Sequence, residues 1–297
     1  MAPDRTALRV CQTHASLSAS VMAVVVNPWT WQAHPEVWVL VGAIALLGLW
    51  AGRIGPRVLP VGTPVASPFQ KRAFVVAVVL LLATADWPVH DIAEKHLYAV
   101  HMLQHLAFTM IVPPLFLLAT PAWLARLVIL DGGRFSQVLR RMTHPVFAGI
   151  LFNGLIAVTH WSGIVRWSAG SGTFHYLVHV ALFGSALLMW MPVVSPLREL
   201  RLSAPGQMIY LFLMSIIPTI PAGWLTFADG VVYKVYDDGY EMWGIGVIAD
   251  QQAAGAVMKV LGGFFLWSII VVKFFHFAAE QLSERSVPRP ADRSGRP

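Results

Sequence analysis

Long apolar segments separated by charged or proline-containing connections constrain this chain more than any other feature. Only 12% of its 297 residues are charged, and the mean hydropathy is +0.64. A segment that crosses lipid must satisfy its own backbone hydrogen bonds, which an α-helix of about 20 residues does. We therefore predict an all-α fold, a polytopic membrane bundle of seven transmembrane helices. The predicted spans are residues 35–52, 73–89, 96–120, 145–165, 174–194, 206–228 and 245–272.

The ends of the chain and its connections are predicted to differ in location. We predict that residues 35–277 form the transmembrane domain and residues 1–34 a weakly ordered external segment. Residues 278–297 are predicted to be a polar cytoplasmic tail, disordered from Gln281 onwards. The connections after spans one, three and five, with the C-terminal end, carry 15 of the 21 Lys and Arg residues. The positive-inside rule then predicts an external N-terminus and a cytoplasmic C-terminus. Because the basic residues form no single stripe, nucleic acid is not an expected partner.

Prolines interrupt two of the predicted spans. Pro113 and Pro114 lie in the second half of the third span, and Pro218 and Pro221 lie in the sixth. Proline lacks an N–H and collides with the carbonyl four residues earlier, so we expect a kink or break in each span. We expect the rest of the bundle to be organised around the third span.

Histidine pairs four residues apart lie on two of the predicted spans. His101 and His105 are on the third span, and His175 and His179 are on the fifth. Four residues correspond to about 400° of helical rotation, so both imidazoles of a pair lie on one face, one turn apart. Titratable groups in lipid are costly and usually face the interior of a bundle. The two pairs therefore predict a site between helices.

Two further polar residues lie at a comparable depth. At about 1.5 Å per residue, His160 and Asp250 are as far from the predicted outer ends of their spans as His101 and His179. We expect these four side chains to converge. Imidazole and carboxylate suit copper, zinc and iron, whereas the single Cys11 excludes an internal disulfide or a thiolate-rich cluster. The predicted metal ligands are His101, His105, His160, His175, His179 and Asp250.

Neighbouring residues are predicted to orient these ligands. The supporting residues in this prediction are Tyr98, Trp161, Gln251, Met258 and Lys259. Met102, Met110 and Met258 also offer thioethers that suit Cu(I), although methionine in an apolar span more often fills space. Lys259 is a charge near mid-membrane and needs a partner.

Other roles for the histidines stay open. They could be hydrogen-bonded packing groups, or they could hold haem in an electron-transfer protein, with room for one haem at a spacing of about 5.4 Å. A copper transporter would need polar or soft residues in the inner half of the membrane, which offers mainly Lys259, Met189 and Met191. The sequence contains no nucleophile paired with a base, no phosphate-binding glycine loop and no external carboxylate pair. We therefore expect no enzymatic activity.

Several motifs around these residues resemble those of a known family. The segments are HMLQH followed by IVPPLFLLATPAWL, THWSGIV, HYLVH before MWMPVV, and ADQQAAGAVMKVLGG. They are similar to the CtaG family of cytochrome c oxidase assembly factors, over about residues 35 to 277. The motif positions that the resemblance covers are His101, His105, His175, His179, Asp250 and Gln251.

The resemblance implies a role in maturing a haem–copper oxidase in a bacterial inner membrane. It implies copper as the metal rather than haem, and a multi-pass protein that helps to metallate the catalytic subunit. The expected partners are that subunit, the lipid bilayer and an external copper donor. In oxidases of this kind, imidazoles hold the copper within the membrane, nearer its outer face.

Overall fold

A computed structural model describes residues 29–129, 132–237, 239 and 241–286, and within these ranges the chain is helical, without β-strands. This confirms the all-α prediction. In chain order the helices are α1 (Pro35–Val58), α2 (Pro68–Ala85), α3 (Val89–Lys95), α4 (Tyr98–Leu106), α5 (Val112–Ala119), α6 (Ala122–Ile129), α7 (Arg134–Met142), α8 (Pro145–Thr159), α9 (Ser162–Gly170), α10 (Gly172–Val194), α11 (Ala204–Ile216), α12 (Thr219–Thr226) and α13 (Val247–Ser286). A π-helical segment, Ala107–Ile111, joins α4 to α5.

Six segments of the described chain are long and apolar enough to cross a membrane. They are α1, α2, α4 with α5, α10, α11 with α12, and α13. A seventh is counted only if α7 and α8, bent by 74° at their junction, form one span. Helix α8 alone has 15 residues, or about 22 Å, which is shorter than a hydrocarbon core of about 30 Å. The chain is therefore a multi-pass membrane protein, and the predicted seven spans are the upper count.

The third span is the centre of the bundle, as predicted. In its most apolar window 67% of the residues are buried, against 17% in α1 and in α2. Pro113 and Pro114 lie in the first turn of α5, directly after the π-helical segment. Pro113 cannot donate a hydrogen bond to the carbonyl of Thr109. The indole N–H of Trp190, on α10, donates to that carbonyl instead at 2.8 Å and ties the two spans together.

Helices α12 and α13 pack closely against each other. The sixth span breaks between Ile216 and Thr219, at Pro218, which confirms the predicted interruption. At Gly255 on α13, an added Cβ would lie 2.6 Å from the carbonyl oxygen of Ala222 on α12. Only glycine permits this contact between the two backbones.

The last helix is longer than the predicted span. Helix α13 has 40 residues, or about 60 Å, and continues to Ser286. The expected disorder from Gln281 onwards is therefore wrong for residues 281–286, because the sequence after residue 272 contains helix-forming residues and no glycine or proline before Pro288. Residues 1–28 and 287–297, including most of the predicted N-terminal segment and Cys11, lie outside the described residues.

Candidate metal centre

Three imidazoles form a compact group between α4 and α10. His101 and His105 come from α4 and His179 comes from α10, and each offers one nitrogen within 4.8 Å of the others. The ring centroids are 4.4 Å apart for His101 and His105 and 5.0 Å apart for His105 and His179. The four-residue spacing on α4 turns both of its imidazoles towards α10. We call these three residues the imidazole trio.

The trio contains buried nitrogens that have no hydrogen-bond partner among the described residues. They are Nδ1 of His101, both ring nitrogens of His105, and Nε2 of His179. A buried polar atom without a partner costs about 1–3 kcal/mol, and native proteins contain few of them. One ion shared between the three rings would satisfy a nitrogen of each. Neutral imidazole is a good ligand for copper and zinc, so the residues fit such a metal.

His160 lies next to the trio but outside it. It caps the C-terminus of α8 and is 3% exposed, and its ring centroid is 6.4 Å from that of His105. Its Nδ1 donates a hydrogen bond to the carbonyl of Ile156 at 2.7 Å. Because a carbonyl can only accept, Nδ1 carries the proton and Nε2 keeps a free lone pair. This Nε2 has no partner among the described residues.

His175 also lies beside the trio, with its ring centroid 4.3 Å from that of His179. Its nitrogens are turned elsewhere, because Nε2 lies 2.5 Å from a carboxylate oxygen of Glu94 and Nδ1 lies 3.1 Å from the hydroxyl oxygen of Ser168. The structure therefore brings His175 near the predicted ligands without directing a nitrogen to a shared ion.

Asp250 does not join the imidazoles, which corrects the predicted convergence. Its two oxygens accept hydrogen bonds from the backbone N–H groups of Tyr98, at 2.6 Å, and Ala99, at 3.0 Å. These N–H groups belong to the first turn of α4, where a helix has no internal partners for its donors and its dipole favours an anion. Asp250 thus fixes the start of the helix that carries His101 and His105.

Two of the predicted supporting residues lie where they can orient the site. The ring of Tyr98 stacks on His101, with centroids 5.5 Å apart and planes 18° apart. The side chain of Gln251 accepts from the backbone N–H of Tyr233 at 3.2 Å and donates to its carbonyl at 3.0 Å. The Tyr233 hydroxyl then donates to the carbonyl of His160 at 2.7 Å. Gln251 therefore acts on His160 through one tyrosine.

The other supporting residues have different surroundings. Trp161 is 71% exposed at the start of α9, so it does not orient a ligand as predicted. Met258 packs in one buried cluster with Met102. The Lys259 ammonium finds its partner in the hydroxyl of Thr219, to which it donates at 2.6 Å.

Three residues of this region were not predicted from the sequence. His90 and His175 both approach one carboxylate oxygen of Glu94, at 3.0 and 2.5 Å. Burial would raise the pKa of Glu94, but the two imidazoles outweigh it and hold that pKa well below its usual range. Gln104 donates to the carbonyl of Thr84 at 2.7 Å and to His90 Nδ1 at 3.0 Å. The sequence offered one indication of the contact between His90 and Glu94, because these residues are also four positions apart on a helix.

The trio opens onto a cavity of about 190 Å³. Its walls include all the histidines of the two pairs, together with His160, Glu94 and Tyr236. The side chains of the trio therefore line a space that is large enough for an ion and several waters.

A family model described as cytochrome c oxidase caa3 assembly factor (Caa3_CtaG) matches residues 46–280. The match covers well over half of the chain and includes every histidine of the site, Asp250 and Gln251. No curated protein and no solved structure matches the chain.

Proposed function

Because the chain belongs to the family of caa3 cytochrome c oxidase assembly factors, we propose that it binds copper at the imidazole trio and helps to metallate the catalytic subunit of the oxidase. The observation that carries this proposal is the set of partnerless nitrogens on His101, His105 and His179, buried between two spans. If these histidines served only for packing, their buried nitrogens would stay without hydrogen bonds, which would cost several kcal/mol of folding free energy. Copper is the cargo in this proposal, and no catalytic step is involved.

The ligand chemistry of the trio suits a carrier. Divalent copper binds nitrogen ligands more tightly than its neighbours in the first transition row. Three protein ligands also leave a coordination position through which a metal can be exchanged. The apolar spans around the site keep bulk water away, so copper would pass to an imidazole site of a partner within the bilayer.

The proposed setting is the inner membrane of a bacterium, with the trio in the outer half. The support is the Lys and Arg bias of the connections, which favours an external N-terminus. An external copper donor would then supply the copper, and the oxidase catalytic subunit would receive it. Transport through the membrane is less well supported, because the predicted inner half offers few polar or soft residues beyond Lys259, Met189 and Met191.

Variants of the trio test the proposal in a strain that lacks the chromosomal copy. With His101→Ala or His179→Ala, we expect the protein to insert normally and its copper affinity to fall about 10–100-fold. The oxidase should assemble with haem but show low activity, and added copper should partly restore that activity. Metal analysis and an optical spectrum of the purified protein would accompany the assay.

His144→Ala is the matched control, because His144 is an exposed histidine at the opposite end of α8 from His160. It should leave copper affinity and oxidase activity unchanged. Normal oxidase maturation by the His101 and His179 variants at low copper would refute the proposal. A haem spectrum from protein that holds no copper would instead support the electron-transfer alternative.

A further inference from the structure

A second, smaller cavity lies next to the imidazole trio, towards the C-terminal end of α4, a direction that we call below. Its volume is about 40 Å³, enough for one ion or one to two waters. His105, His160 and Met102 line both this cavity and the larger one above it. These three residues therefore form the partition between the two spaces. We call the smaller space the lower cavity.

Methionines from several helices line the lower cavity. Four of the eleven methionines of the chain line it, and all four are buried. They come from four different segments and are Met102 on α4, Met110 in the π-helical segment, Met214 on α11 and Met258 on α13. The Met214 sulfur accepts a hydrogen bond from the amide of Asn153 at 3.1 Å.

Space filling explains the burial of these methionines but not the polar atoms beside them. Methionine is a common filler of irregular cores. His160 is a different case. Its side chain is only 3% exposed, and its Nε2 has no hydrogen-bond partner among the described residues. It lies outside the trio, so an ion bound there would leave this nitrogen unsatisfied. His105 has two partnerless nitrogens, of which a single ion above can engage only one.

The donor set of the lower cavity differs in chemistry from that of the trio. Thioether sulfur is a soft ligand that selects Cu(I), whereas a group of imidazoles alone also accepts Cu(II) and zinc. A small apolar cavity additionally favours the ion of lower charge, because each unit of charge is costly to desolvate. The described wall offers two imidazoles and thioethers and contains no carboxylate. Its one charged side chain, Lys259, is exposed and donates to the hydroxyl of Thr219.

We infer that His105 and His160, together with the thioethers of Met102 and Met258, form a second metal position that is selective for monovalent copper. This inference rests on the proposed function, because it assigns a second position to the same cargo. Met102 belongs to the partition, and Met258 packs against it in one buried cluster. Copper would enter and leave this position as Cu(I), so no electron transfer is required.

The test compares two double variants of the full-length protein in detergent. Met102→Leu with Met258→Leu removes the two sulfurs at nearly constant volume, a change that cores usually tolerate. Met189→Leu with Met191→Leu is the matched control, because both residues are buried on α10 and line neither cavity. Cu(I) affinity is measured without oxygen against a coloured Cu(I) chelator, and Cu(II) affinity is measured on the same samples.

We expect the first double variant to lose about 10–100-fold in Cu(I) affinity and to keep its Cu(II) affinity, which also shows that it is folded. The control should retain both affinities. X-ray absorption of the wild-type Cu(I) protein should show sulfur next to copper, and the first variant should lose that signal.

Two results separate this inference from the proposed function. If the wild-type protein binds Cu(II) at the trio but its Cu(I) spectrum contains only nitrogen ligands, or if the two double variants behave alike, the second position is refuted and the trio stands. If the wild-type protein binds neither form of copper, both conclusions are refuted.

Discussion

Asp250 provides the sharpest test of the geometry, because it was predicted to be a ligand and the structure makes it a helix cap. In Asp250→Ala, the backbone N–H groups of Tyr98 and Ala99 lose their acceptors, which lie at 2.6 and 3.0 Å in the native protein. Tyr98 is 2% exposed, so water cannot replace the carboxylate there. The substitution should therefore destabilise the start of α4.

The magnitude follows from the number of donors. Each buried donor left without a partner costs about 1–3 kcal/mol, and losing the anion at a helix N-terminus costs up to about 1 kcal/mol more. The variant is relieved of burying a carboxylate, which offsets part of this loss. We expect the free energy of unfolding to fall by about 2–4 kcal/mol for Asp250→Ala. Asp250→Asn keeps one acceptor oxygen and should lose about half as much.

The assay is reversible unfolding in mixed detergent micelles, followed by circular dichroism, with copper affinity measured on the same protein. Copper affinity should fall moderately in Asp250→Ala, because α4 carries two of the three imidazoles. Asp229→Ala, at an exposed position before α13, is the control and should change stability by less than about 0.5 kcal/mol. If Asp250→Ala unfolds like the wild type while copper affinity collapses, Asp250 is a ligand and the capping argument is wrong.

Three further outcomes are expected. A reporter fused after Arg285 should be cytoplasmic and one inserted at Asp237 should be external, and the opposite labelling would reverse the proposed orientation. Trp190→Phe should lower the free energy of unfolding by about 1–3 kcal/mol, because the carbonyl of Thr109 loses its buried donor, and an unchanged unfolding curve would contradict this. Gly255→Val should cost about 1–3 kcal/mol or more, because its Cβ would lie 2.6 Å from a backbone oxygen, and a normal unfolding curve would show that α12 moves freely.

The features that depend on one helix were predictable from the sequence. The apolar segments gave most of the spans, and the prolines gave the two interruptions, because proline acts on the backbone of its own helix. The positions of His101 and His105 on one face follow from the same local geometry. The partner His179 was found because it belongs to a second pair of the same spacing.

The features that depend on rotation between helices were not predictable. Depth alone placed Asp250 level with the imidazoles, but depth does not specify the direction in which a side chain points. The break after α8 was also missed, because THWSGIV contains no proline and its hydropathy does not reveal that the helix ends at Thr159. Glu94 was overlooked because its role depends on the packing of α3, a short helix between spans, against α10.

The π-helical segment Ala107–Ile111 affects the direction of the imidazoles relative to α5. The N–H of Val112 bonds to the carbonyl of Ala107, five residues earlier, so this turn holds one residue more than an α-helical turn. One residue corresponds to about 100° of rotation. If the same residues were wound as an uninterrupted α-helix, the extra residue would rotate His101 and His105 by that angle relative to α5. The wide turn thus absorbs one residue and keeps these histidines turned towards α10, so a one-residue deletion within it should leave their direction unchanged.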